Sequence, residues 1–178
     1  HREEGIGDWS VQDFANAMLR GVSPDGTHYY PAFPYGAYTH MTDADVADLW
    51  AFLRTLPESD RANEANALAF PYTVRRGVGL WKYRYLSDDW VAAAPSATLE
   101  RGRYLVEALG HCAECHTPRD RWGGLDMVRW MGGAENPSGR GRIPNITPAA
   151  LDWPAADIAY YLETGFTPDY DSAGGTMA

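Results

Sequence analysis

Residues 8–25 and 152–169 carry one pattern twice, ungapped, at an offset of 144 from Asp8 to Asp152. Asp8, Trp9, Asp13, Gly21, Pro24 and Asp25 are matched by Asp152, Trp153, Asp157, Gly165, Pro168 and Asp169. Phe14 and Met18 align with Ile158 and Leu162, which preserves an apolar i, i+4 face suited to a helix. Chance could match one or two such positions but hardly six in one register, and long-period self-similarity marks a duplicated unit. The chain is therefore expected to hold parts of two related domains.

Each copy predicts a helix that starts at Ser10 or Pro154 and stops at Gly21 or Gly165. A Ser/Thr-Pro-Asp turn follows in both. Another helix is expected over 43–56: Thr42 and Asp45 resemble a capping box, Val46, Leu49, Trp50, Leu53 and Leu56 form one stripe, and Pro57 ends it. A third is expected over 98–109, with Leu99, Tyr104, Leu105, Val106 and Leu109 apolar and Gly110 as the stop. Between them lies a mixed segment with Pro71, Arg75, Arg76, Trp81 and Trp90, read as a linker, and no alternating strand pattern stands out. The expected fold is all-α. Residues 1–57 read as the C-terminal part of a first domain, 58–95 as the linker, and 96–178 as a second domain lacking its last helix. Both ends fall inside domains, so the chain reads as a piece of a longer protein.

A length of 178 residues with 45% hydrophobic side chains is enough for packed cores. No run of eighteen apolar residues occurs, so membrane association is expected only through segments outside this stretch. No basic, apolar leader occurs either, so a signal peptide is expected to be absent from this stretch. A net charge of −9 argues against nucleic acid and would suit a basic partner surface, a weak clue among soluble proteins.

The two cysteines, Cys112 and Cys115, are the only ones, which excludes a disulfide framework. With His116 they form Cys-x-x-Cys-His, the attachment signature of a c-type haem. Two thiols one turn apart can each add to a porphyrin vinyl group, and the next residue then lies under the iron. A zinc site would need about four Cys/His ligands, and only His111 and His116 are near. A thioredoxin-like pair would need a βαβ setting, and the surroundings read as helical. Haem is the favoured reading, and such a domain usually takes a second axial ligand from farther along, His/Met ligation closing the iron to substrates. Met127 and Met131 lie close behind the motif and read as gap-filling core methionines. Met177 follows the repeated helix, and Met41 follows the first copy of the same turn, so Met177 is the expected axial ligand. By the same repeat logic Met41 faces a second haem, although no second Cys-x-x-Cys-His precedes it.

Further stretches sharpen this. They are Tyr30-Pro31-Ala32-Phe33-Pro34-Tyr35 leading to Met41, Arg101-Gly102-Arg103-Tyr104-Leu105-Val106-Glu107, Cys115-His116-Thr117-Pro118-Arg119, and Gly141-Arg142-Ile143-Pro144-Asn145-Ile146-Thr147-Pro148. On these the chain resembles, over nearly its whole length, the di- and tri-haem cytochrome c subunits of bacterial periplasmic alcohol, gluconate and aldehyde dehydrogenases. The resemblance implies a tandem of class I cytochrome c domains. It makes Met41 and Met177 axial ligands and His116 the proximal one, and suggests Pro118 beside the proximal imidazole, whose second nitrogen needs a hydrogen-bond acceptor. Arg119, Arg142, Trp9 and Trp153 are candidates for the haem propionates, since guanidinium and indole N–H groups donate there. Each has a plain alternative as a surface charge or core aromatic.

The implied function is relay of single electrons from a catalytic dehydrogenase subunit to an acceptor (a quinone, a cytochrome or an oxidase), with no catalysis by the chain itself. The implied location is the periplasm, with the outer face of the inner membrane as one place within it. Two rivals remain: a haem enzyme of peroxidase or thiosulfate-oxidising type, which needs an open sixth iron position, and a haem sensor module, which needs a signalling domain.

Overall fold

The computed structural model describes residues 5–59, 61–137, 139–172 and 174, and its described residues are mostly helical. The order is α1 (Val11–Arg20), α2 (Tyr35–Tyr38), α3 (Asp43–Leu53), α4 (Arg75–Tyr85), α5 (Ala97–Arg103), a wider π-helical turn (Tyr104–Leu109), α6 (Ala113–His116), a 3-10 turn (Met127–Arg129) and α7 (Ala155–Thr164). One two-residue antiparallel pair joins β1 (Ala134–Glu135) to β2 (Arg142–Ile143). It is too short to leave an alternating pattern in sequence.

The chain divides into two compact units. One runs through Glu114 and takes in Arg119–Asp126; the other holds Cys115–Pro118 and the residues from Met127 on. Helix α5 and its π-helical continuation belong with α1–α3, because the Tyr104 hydroxyl donates to the Asp45 carboxylate and accepts from the Thr42 N–H at 3.1 Å.

In the first unit, Ser10 caps α1 with a capping box completed by Asp13, and Phe14, Met18, Met41 and Val46 form the buried cluster. Trp9, Trp50, Leu53 and Leu109 pack on it, with the Phe14 and Trp50 rings 5.1 Å apart. Gly21 ends α1 in the left-handed region, φ +59°, and a Cβ there would lie 2.3 Å from the fully buried Tyr35 ring. Glycine is thus required twice over. Helix α3 stops at Leu53, three residues before the expected end, and Arg54–Leu56 form a turn into Pro57.

Helix α4 is the element that the linker reading missed. It is fastened through Lys82, the chain's only lysine, whose Nζ donates to Arg20 O at 2.6 Å and Gly21 O at 2.7 Å and lies 3.0 Å from His28 Nδ1. The ammonium also sits 4.5 Å over the Tyr35 ring. A buried cation therefore caps the negative end of α1.

The repeat seen in sequence recurs in local structure. After α1, Ser23 N–H donates to Thr27 O and Gly26 N–H to Ser23 O, and Val22 pairs with His28. After α7, Thr167 N–H donates to Asp171 O and Tyr170 N–H to Thr167 O, and Phe166 pairs with Ser172, at the same offset. Gly26 and its counterpart Tyr170 both have positive φ, +81° and +60°. Among the described residues, no helix is long and apolar enough to cross a membrane.

Candidate haem-attachment site

The π-helical turn delivers the motif. Gly110 N–H reaches back five residues to Leu105 O at 2.7 Å, and Cys112 N–H bonds Val106 O at 3.3 Å. A Cβ at Gly110 would lie 2.8 Å from Leu105 O and 3.3 Å from Cys112 Sγ, so the turn closes only around glycine. His111, at φ +41°, then redirects the chain into α6, with its ring 5.7 Å from that of Tyr38. Cys112 is half-buried, and Cys115, on α6, is exposed.

His116 is buried, and its Nδ1 lies 2.8 Å from the carbonyl oxygen of Pro144. A carbonyl only accepts, so Nδ1 carries the proton and the Nε2 lone pair is left for a metal. That acceptor is supplied by Pro144. Pro118 is half-buried beside Thr117 in the chain. The loop that carries Pro144 is anchored around the histidine. Gly133 N–H donates to His116 O at 2.7 Å, Met131 N–H donates to the buried Thr117 Oγ1 at 3.0 Å, and Ile146 N–H donates to Met131 O at 3.1 Å. Gly133 has φ +83°, and a Cβ there would lie 2.8 Å from Asn145 N and 2.9 Å from Ile143 O. Sequence reasoning passed over Thr117, Gly133 and Met131 as parts of this frame. Of the two methionines assigned to core packing, Met131 is buried, at positive φ, whereas Met127 is exposed on the 3-10 turn.

The other candidates are placed as follows. Met41 is buried among Phe14, Met18 and Val46, with Trp9 against the same cluster. Arg119 donates to Glu114 Oε2 at 2.5 Å and Gly123 O at 2.9 Å. Arg142 is exposed on β2, and Trp153 stacks edge-on against Tyr161, with centroids 5.4 Å apart. Met177 lies outside the described residues. Among the described residues, no group of three or more His, Cys, Asp or Glu comes together as a metal site. The donor set at the motif, two thiols and a histidine with its distal nitrogen oriented, fits a covalently held haem.

Comparison with known proteins covers nearly the whole chain. The chain is 58% identical over 177 residues to a diheme cytochrome c-type protein of Cereibacter sphaeroides, an alignment covering 99% of this chain and 60% of that protein. The chain is thus similar, over nearly its whole length, to a protein named as a diheme cytochrome c. It is also 35% identical to the fructose dehydrogenase cytochrome subunit of Gluconobacter japonicus, over 97% of this chain and 37% of the subunit. To the gluconate 2-dehydrogenase cytochrome c subunit of Pantoea cypripedii it is 40% identical over 65% of its length, which is 27% of that subunit. The cytochrome-related chain thus spans about 60% of the first of these proteins and a smaller share of the others. No protein-family model matches it.

Proposed function

We propose that this cytochrome-related chain is part of a multi-haem cytochrome c that relays single electrons from a partner periplasmic dehydrogenase to a respiratory acceptor. The observation that carries the reading is the Cys-x-x-Cys-His motif with His116 Nδ1 committed to Pro144, which leaves Nε2 as a ligand. Cys112 and Cys115 hold the haem, His116 is its proximal ligand, and Met177 closes the sixth position. Bound there, the iron supplies a reversible one-electron couple, tuned by its axial ligands and burial. The chain's own residues fix the ligand, exclude solvent and hold the charge. Burial of His116 and Thr117 supports this role.

A second haem near Met41 extends the proposal. It rests on the duplicated helix and turn and on a relative named as a diheme protein. Trp9, Trp153, Arg119 and Arg142 are proposed to face propionates, a reading supported for Trp9 by its place on the cluster that holds Met41. The chain itself carries no substrate chemistry, since a closed sixth position leaves no site on the iron. The periplasm is the proposed location, and the relatives' names as dehydrogenase cytochrome subunits support the dehydrogenase partner.

The test is the absorption spectrum of the ferric full-length protein. A low-spin spectrum with the weak long-wavelength band of methionine–iron ligation is expected, and Met177→Ala should remove one such band. A high-spin ferric spectrum in the unaltered protein contradicts the closed-site reading and favours a haem enzyme.

A further inference from the structure

Between Glu64 and Asp88 the chain has no acidic residue, although it carries 24 elsewhere and a net charge of −9. That interval contains Arg75, Arg76, Lys82 and Arg84. Helix α4 sorts them onto two faces. Val78 and Lys82 turn inward, while Arg76, Leu80, Tyr83 and Arg84 stand outside at i, i+4, i+7 and i+8. Leu80 is 77% and Tyr83 93% exposed. Beside this face runs the loop with Arg121 and Trp122: Trp81 Nε1 donates to Trp122 O at 3.0 Å, and the Tyr85 hydroxyl donates to Asp120 at 2.6 Å. Trp122 is 63% exposed, with the Arg121 guanidinium 5.1 Å from its ring centroid. Asp120, in this neighbourhood, is occupied by Tyr85 and by the N–H groups of Trp122 and Gly124.

We infer that the α4 face formed by Arg76, Leu80, Tyr83, Arg84, Arg121 and Trp122 is a docking surface for a protein partner whose contact face is rich in carboxylates. Three observations carry this. First, the charge is of opposite sign to that of the chain as a whole. At physiological salt, charges beyond about 8 Å are screened, so an approaching partner senses the local patch rather than the net charge. Second, the exposed side chains are Arg, Tyr and Trp around one Leu. Those are the residue types that concentrate binding energy at protein interfaces, with arginine reading carboxylates through paired N–H donors. The chain's one lysine is buried beneath the face, so its charge serves the mounting. Third, the face is rigidly mounted. Lys82, Trp81 and Tyr85 fix α4 from behind, so little ordering remains to be done on binding.

The experiment uses the full-length, haem-loaded protein and two soluble probes, poly-glutamate and a random glutamate–tyrosine copolymer, with phosphatidylglycerol vesicles as a third arm. Binding to both polymers is expected, tighter for the copolymer, and weakening as salt is raised. The triple variant R76E/R84E/R121E should bind both at least about tenfold more weakly. The Tyr83→Ser and Trp122→Ser variants should lose the preference for the copolymer while keeping the salt-dependent part. All six side chains are exposed or at the surface, and unchanged circular dichroism checks that the variants fold. The inference is overturned by polymer affinity that the triple variant leaves unchanged, or by no polymer binding in the full-length protein. It is overturned equally by binding to the vesicles alone, which would make the face a lipid contact.

Discussion

At His116 one hydrogen bond and three loop anchors decide what the side chain can do. The Pro144 carbonyl takes the Nδ1 proton, and the anchors to His116 O, Thr117 Oγ1 and Met131 O hold that carbonyl in place. Thr117→Val removes the acceptor of a buried N–H and should cost about 1–3 kcal/mol in chemical denaturation. Thr117→Ser should restore most of it. Gly133→Ala meets both a positive φ and backbone atoms within 3 Å, so it should lower stability and also weaken haem incorporation during expression. Equal stability in Gly133→Ala and the unaltered protein would show that the loop is not the anchor it is taken to be. The motif itself is legible in sequence because its three residues fall within five successive positions. Pro144 is legible only as a residue of a familiar stretch, since any backbone carbonyl can accept and nothing in a side chain announces that it does.

At the scale of the element, α4 and the cap of α1 depend on each other through Lys82. Lys82→Met removes the donor to Arg20 O and one of the two donors to Gly21 O, which keeps the Tyr29 N–H, and should destabilise by about 1–3 kcal/mol, with α4 amides losing protection first in hydrogen exchange. Burial among His28 and Tyr35 pushes the Lys82 ammonium down to about 8. The folded state therefore releases this proton near pH 8, while the unfolded chain holds it until about 10.5. Between those values the unfolded state binds more protons, so this group's contribution to stability rises with pH. As the only lysine, its ε-methylene gives a single NMR signal, and a titration midpoint near the ordinary value would contradict the burial. Gly21→Ala should cost more than about 2 kcal/mol, read in thermal unfolding, because a left-handed alanine would also strike Tyr35. The helices with clear caps and stripes, α1 and α3, are readable in sequence. Helix α4 is not, because Gly77 and Gly79 lower its propensity and its buried face is held by a lysine rather than an apolar row. The π-helical end of the 98–109 segment leaves the same apolar spacing as an α-helix, so only the five-residue reach of Gly110 reveals it.

For the whole molecule, the duplication is what sequence and local structure share most fully. The helix, its left-handed glycine and the following turn recur in both copies down to the paired hydrogen bonds. The compact units hold one copy each, and Tyr104 joins the 97–109 segment to the first of them through the N-terminus of α3, a contact that no pattern of spacing encodes. The central claim concerns Cys112 and Cys115, and mass spectrometry of the full-length protein digested under denaturing conditions tests it most directly. The peptide containing both cysteines and His116 is expected to carry the mass of one haem through both sulfurs and to lose it only when both are replaced by alanine. Recovery of that peptide unmodified, with the chromophore released into acidified organic solvent, would contradict covalent attachment and the electron-relay reading built on it.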